Sequence, residues 1–191
     1  MYHTGAADKH LANTLGTLAT ELASQIAEAT ESVVGRRGEV PAAVNALAQF
    51  LDGATIQQLS DVLALTHSGA VRLVNRLEDH GLAARTPGPD GRSQSVQLTK
   101  AGRALGRRVA EARAGVVNDA LADLDADDRQ ALAQLVDALV STLTARRMEE
   151  RRKGREPDGW LCRLCSLADC GRAAGKCPAA STAAAHLSVD G

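Results

Sequence analysis

The chain has 191 residues, 24% of them charged, and a formal net charge of −1, enough for one domain with a real core plus an appendage. Only Tyr2, Phe50 and Trp160 are aromatic, so the core must be built from Ala, Leu and Val, which favours helices and excludes a single-strand or RNA reader that stacks bases on aromatic platforms. No apolar run approaches the length that crosses a bilayer, and the first ten residues lack the basic-then-apolar order of a signal peptide, so the expected location is cytoplasmic, with no membrane partner.

Leu11, Leu15, Leu18, Leu22, Ile26 and Val33 form a near-heptad stripe on a first predicted helix that ends near Gly35. Pro41 opens a shorter one through Val44, Leu47 and Phe50 to Leu51. Thr55 then caps a helix running to Ala64. After Leu65, Thr66 caps another that runs from His67 to His80, with Gly81 as a left-handed stop. Helices separated by so short a break cross steeply. In the second of them Ala70, Val71, Val74 and Leu77 recur at helical steps and make an inward stripe. Thr66, His67, Ser68, Gly69, Arg72, Asn75 and Arg76 are left on or beside the other side. Small residues let a helix approach base edges, and Arg donates a forked pair of hydrogen bonds to guanine or holds a phosphate. Taken alone, the pattern suits a solvated surface helix equally well.

The next segment separates the two readings. Leu82–Thr86 is a predicted strand, Pro87–Gly91 has turn composition, and Arg92–Leu98 alternates as a return strand. Arg92 at the tip can reach a minor groove while Asp90 braces its guanidinium. From Thr66 to Arg108 the cations Arg72, Arg76, Arg85, Arg92, Lys100, Arg103, Arg107 and Arg108 face only Glu78, Asp79 and Asp90, the footprint of a phosphate-contacting surface to which Arg85 is assigned. Thr99 begins a helix through Leu105 and Val109 toward Leu121, and Asp125 caps another carrying Leu132, Leu135, Val136, Leu139, Val140 and Leu143. These stripes pack within one subunit or between two. Arg146–Glu156 mixes signs, as a solvated helix end and linker does.

All four cysteines fall within sixteen residues, as Cys162-x2-Cys165-x4-Cys170-x6-Cys177-Pro178. Thiols gathered this tightly in an intracellular chain point to a metal rather than to structural disulfides. Zinc sites usually draw on two Cys-x-x-Cys knuckles, and only Cys162/Cys165 has that form. An iron–sulfur cluster spreads its ligands further, and a final Cys-Pro also closes ferredoxin-type runs. Iron–sulfur is therefore favoured, zinc is the alternative, and a redox-active thiol pair is a third reading. Trp160, Leu161, Leu164 and Leu167 can shield such a centre. His186, in an Ala-rich segment, adds no ligand to four cysteines, and His80 suits the helix C-terminus. No phosphate-binding Gly loop, nucleophile pair or His-Glu metallohydrolase motif is present, so no enzyme is expected.

Arg72-Leu73-Val74-Asn75-Arg76-Leu77-Glu78, Gly81-Leu82, Asp90-Gly91-Arg92 and Leu98-Thr99-Lys100-Ala101-Gly102 together strongly resemble the winged helix-turn-helix of the multiple-antibiotic-resistance regulator (MarR) family. The likeness extends over roughly residues 8 to 150 and is specific over Thr55–Gly102. It implies a mainly α fold with a helical dimerisation region and a short two-stranded wing. The Thr66–His80 helix would be the recognition helix, and Asp90 and Arg92 the Asp-x-Arg motif of the wing. Interlocked terminal helices would place two recognition helices one turn of duplex apart, ~34–36 Å, on a near-palindromic operator.

The resulting division is an N-terminal dimerisation helix (8–37), a DNA-binding lobe (38–102), C-terminal dimerisation helices (103–150), a cysteine-rich extension (151–180) and a disordered tail (181–191). The expected function is a homodimeric repressor of transcription that binds double-stranded DNA and responds to redox or iron–sulfur status. The cysteines would act by changing how the tail packs on the dimer helices. One rival keeps the regulator but makes the metal structural zinc and the signal a small phenolic effector. The other is a metal-carrier or electron-transfer protein with a vestigial helix-turn-helix.

Overall fold

The computed structural model describes residues 5–35, 38–87, 94–155 and 159–188. Helix α1 (Ala6–Val34) ends at Gly35, and α2 (Val40–Gln49) opens with Pro41 in its first turn. Strand β1 (Ala54–Thr55) leads into α3 (Ile56–Leu63), followed by α4 (His67–Asp79), β2 (Ala83–Pro87) and β3 (Gln94–Leu98). The long helices α5 (Lys100–Ala120) and α6 (Ala126–Arg152) come next, and α7 (Pro178–Leu187) follows the cysteine loop.

The caps set most of these boundaries. Thr55 accepts from Gln58 N–H at 3.2 Å while Gln58 reaches back to the Thr55 N–H at 2.8 Å, a reciprocal pair that fixes the start of α3. Thr66, Thr99 and Asp125 cap α4, α5 and α6 through the N–H groups of Gly69, Gly102 and Asp128. Each removes an orphan donor from a helix start and is worth about 1 kcal/mol.

The sheet has three antiparallel strands in the order β1-β3-β2: β2 and β3 are the two-stranded wing expected from sequence, and β1 adds a third strand. Ala54 and Thr55 pair with Val96 and Ser95, and a two-residue strand defined by so distant a partner leaves no local periodicity to read. The wing tip, including Asp90 and Arg92, lies outside the described residues.

Leu47, Leu59, Leu73, Leu77, Val44, Val62, Val74 and Val96 are fully buried and hold α2, α3, α4 and β3 around one core. Val109 of α5 joins them. In α4 the inward stripe is Ala70, Leu73, Val74 and Leu77; Val71, assigned to it from sequence, is half-buried at its edge. Helices α1 and α2 both pack along α5. A Cβ on Gly106 would lie 2.7 Å from Ala48 Cβ and 2.9 Å from Val44 O, so α5 meets α2 at near-backbone distance. The composition of the closing segment predicted no order, yet Pro178–Leu187 is helical and rests on α6. Proline at the first turn and a run of alanines are a good helix start and the best helix formers.

Candidate nucleic-acid interface and thiol site

Helix α3 ends in an unusual way for a non-glycine residue. Ala64 is left-handed, at φ 56° and ψ 41°, a conformation that costs about 1–2 kcal/mol. Ser60 holds it there: its carbonyl accepts from Leu65 N–H at 3.0 Å and its hydroxyl donates to Leu65 O at 2.6 Å. The chain thereby reverses within Ala64–Thr66 and α4 starts at His67.

One side of α4 is core and the other is bare. Thr66, His67, Ser68, Arg72, Asn75 and Arg76 are exposed and Gly69 is half-buried. Gly69, Arg72, Asn75 and Arg76 line an open groove of about 550 Å³, joined by Leu65 and by Glu39 at the start of α2. His67 sits 3.3 Å from Gln57 Oε1, which ties the first turn of α4 to α3.

Arg85 differs from the other cations assigned to this surface. Its guanidinium bonds the Glu78 carboxylate and donates to Asn75 Oδ1 at 2.7 Å, while its backbone N–H donates to Glu78 Oε1 at 2.9 Å. It therefore clamps β2 to α4 rather than extending toward solvent, and it orients the Asn75 amide with the oxygen occupied. Arg103 pairs with Asp52 at 3.8 Å. Charge pattern alone does not separate a cation with a neighbouring carboxylate across a turn from one without, and the pairing of Glu78 with Arg85 is what the sequence reading misses.

The cysteine loop sits on the same lobe. Cys162–Cys165 is a tight turn with Cys165 N–H donating to Cys162 O at 2.8 Å, and the Cys170 thiol donates to Leu167 O at 3.4 Å. Cys177 is buried and stands just before α7; the other three are half-buried. The Cys162 thiol donates to the sulfur of Cys165, and this bond, burial and repulsion from Cys165, Cys177 and Cys170 all push its pKa up. Cys165 is pulled down to about 6 by the same bond, against burial and with help from Arg113. All four sulfurs thus act on one neighbourhood. Among the described residues, no group of three or more His, Cys, Asp or Glu side chains is drawn together as a ready ligand set for a metal ion.

Of the apolar residues flanking the cysteines, Leu164 packs on the core while Trp160, Leu161 and Leu167 stay largely exposed. The loop is held by residues that the sequence reading does not single out. Asn45 on α2 donates to Arg163 O and Cys165 O, and Gln49 accepts from Leu167 N–H. Asn45 is the one polar side chain in the wholly buried run Val40–Leu47, and that is its signal in the sequence. Helix α7 lies on α6. The loop itself is fastened to the helix-turn-helix.

Residues 40–93 match the MarR family model. That span runs from α2 through the helix-turn-helix and β2, ends before β3 and stops well short of the cysteines. Solved structures agree on the fold. YusO from Bacillus subtilis is 19% identical with a TM-score of 0.61, over 71% of this chain and 97% of its own. MepR, a transcription regulator of the Staphylococcus aureus multidrug efflux pump MepA, is 16% identical with a TM-score of 0.61, over 69% and 97%. CouR from Rhodococcus jostii RHA1, solved bound to p-coumaroyl-CoA, is 20% identical with a TM-score of 0.54, over 69% and 93%. The MarR winged-helix fold is therefore present, with chain to spare beyond it. No curated protein matches the sequence. Among the described residues no helix is long and apolar enough to cross a membrane.

Proposed function

We propose that the protein is a homodimeric, sequence-specific reader of double-stranded DNA that represses transcription, and that Cys162, Cys165, Cys170 and Cys177 hold an iron–sulfur cluster to which its DNA affinity responds. The observation that carries the reading is α4. It is a capped helix with one side in the core and the other bare, bearing Arg72, Asn75 and Arg76 behind the small residues Ser68 and Gly69. Such a helix fits a major groove: the small residues let it approach, and the arginines serve bases or phosphates.

Support for the dimer is the apolar surface that a single chain leaves bare. Leu11, Leu15 and Leu18 on α1, with Leu135, Val136, Leu139 and Leu143 on α6, are exposed. Stripes of this kind on long helices are interaction faces, and a second copy is the partner that would set two α4 helices one duplex turn apart on a near-palindromic operator.

Support for the cluster is chemical. Four soft donors share one short loop, and the charge of Arg113 favours the Cys165 thiolate. A zinc ion needs its sulfurs about 2.3 Å from a single point, whereas an iron–sulfur cluster spreads them over a larger body. When bound, the group would supply a redox-sensitive centre; the chain supplies its ligands and its seat on the lobe.

Two measurements test the proposal. Binding to a duplex selected by the protein from random-sequence DNA should weaken steeply with salt, because neutralised phosphates release counterions. A flat salt response would leave only the metal-carrier reading. Anaerobic purification should give a brown protein with iron and acid-labile sulfide. A colourless zinc protein would instead favour structural zinc with a small phenolic effector, for which CouR with its p-coumaroyl-CoA is the structural precedent.

A further inference from the structure

The cysteine loop and the helix-turn-helix share hydrogen bonds at both ends of the loop. Asn45, wholly buried on α2, donates from its amide nitrogen to Arg163 O at 3.0 Å and to Cys165 O at 3.2 Å. A turn further along α2, Gln49 accepts from Leu167 N–H at 2.8 Å. On the other flank, Trp160 N–H donates to Val62 O at 2.9 Å. Val62 stands two residues before Ala64, the left-handed residue on which α3 ends. Gly159, at φ +56°, brings the chain so close that a Cβ there would lie 3.0 Å from Val62 O and 3.4 Å from Ala64 Cβ. The loop therefore touches the turn that aims α4.

A buried amide must find partners or pay for its lost water. Both hydrogen bonds of the Asn45 amino group end on the loop between the first two cysteines, and its Oδ1 has no partner among the described residues. An apolar residue at position 45 would pack in the same core without regard to the loop. With Asn there, the packing of α2 depends on where the backbone of Arg163 and Cys165 sits, which is set by how the Cys162 and Cys165 sulfurs are held.

We propose that the cysteine loop is a brace for the DNA-reading unit. Seated and loaded, it holds α2 and the α3–α4 turn in the arrangement that presents Arg72, Asn75 and Arg76; when the thiols are unloaded, the turn is released and DNA affinity falls. Asn45, Gln49 and Trp160 are the positioning residues. The inference rests on the reading of the four thiols as a loaded site in a DNA-binding regulator, and it assigns the route: through α2 and α3. The competing route runs from Cys177 along α7 to α6, which pack together, with α6 meeting the start of the loop where Arg147 donates to Gly159 O.

Three full-length proteins decide it: wild type, a variant with all four cysteines changed to Ser, and Asn45→Leu. Each is assayed for iron and sulfide, for Kd on the duplex selected by the wild type, and for amide hydrogen exchange. The Ser variant should lose iron and show faster exchange across 60–67. Asn45→Leu should keep the wild-type iron content yet bind DNA as weakly as the Ser variant, roughly tenfold below wild type, a size typical of coupling between sites. Faster exchange confined to α6 and α7 would overturn the brace, as would wild-type affinity in an iron-loaded Asn45→Leu protein. If Asn45→Leu does not fold, Gln49→Ala, altered at a half-buried side chain, supplies the same comparison. A wild type without iron or sulfide refutes the cluster, not the brace. In that case unchanged exchange at 60–67 in the Ser variant overturns the brace as well, and altered exchange there upholds it.

Discussion

Replacing Arg85 and Arg76 separately with Ala tests whether these two cations, both placed on the DNA surface by sequence, do different jobs. Arg85 is 21% exposed and its partner Glu78 31%; its guanidinium bonds both Glu78 and Asn75. A hydrogen bond to a charged group is worth about 1.5–3 kcal/mol when shielded and an exposed ion pair under about 1 kcal/mol. The partial exposure here puts the loss for Arg85→Ala at about 1–2 kcal/mol. With a urea m-value of about 1–3 kcal/mol/M, the unfolding midpoint should drop by roughly 0.3–2 M. Arg76 is exposed, so Arg76→Ala should leave the midpoint alone and instead flatten the salt dependence of DNA binding by about 0.9 in log–log slope, the loss of one phosphate contact. Urea denaturation followed by circular dichroism and anisotropy titrations at several salt concentrations read the two quantities independently. If Arg85→Ala left the midpoint unchanged and flattened the slope as Arg76→Ala does, the clamp reading of Arg85 would be refuted.

Leu139→Glu puts a charge into the bare stripe of α6 and should convert dimer to monomer in sedimentation equilibrium; a dimer of unchanged strength would move the interface elsewhere. Gly106→Ala places a methyl 2.7 Å from Ala48 Cβ and 2.9 Å from Val44 O, and this overpacking should cost about 1–3 kcal/mol, seen as a lowered Tm. An unchanged Tm would mean that α5 and α2 part more easily than their close approach suggests. Glu39→Gln removes the carboxylate that, among the described residues, lines the groove beside Arg72 and Arg76, and should tighten DNA binding by up to about tenfold at low salt with the gain fading as salt rises. A salt-independent change would point to altered packing instead.

The helix-turn-helix was legible because its instructions are local. Thr55 with Gln58 and Thr66 with Gly69 write their caps within three residues, and Gly81 stops α4 at φ +63° as its position after the last periodic residue predicts. Strand β1 was not legible, since Ala54 and Thr55 are a strand only by virtue of Val96 and Ser95 some forty positions on. The inward stripe of α4 was read slightly out of phase because Val71 and Leu73 are both apolar and only packing against α3 chooses Leu73. The cations of the proposed DNA surface are visible as a group, but which of them is already engaged depends on Glu78 meeting Arg85 across the turn into β2. The cysteine spacing announced a shared site and said nothing of its seat. That address is written by Asn45, more than a hundred residues away, and a single buried amide in an apolar helix becomes informative only when its partners are seen.

The seat of Trp160 also equips the protein with an optical reporter of its own. It is the sole tryptophan in the chain, it stands two residues before the first cysteine, and its backbone is pinned to the end of α3. Intrinsic fluorescence of the untouched protein therefore watches a single spot. An absorbing centre at the neighbouring sulfurs would quench that emission, so occupancy can be followed in real time without attaching a dye.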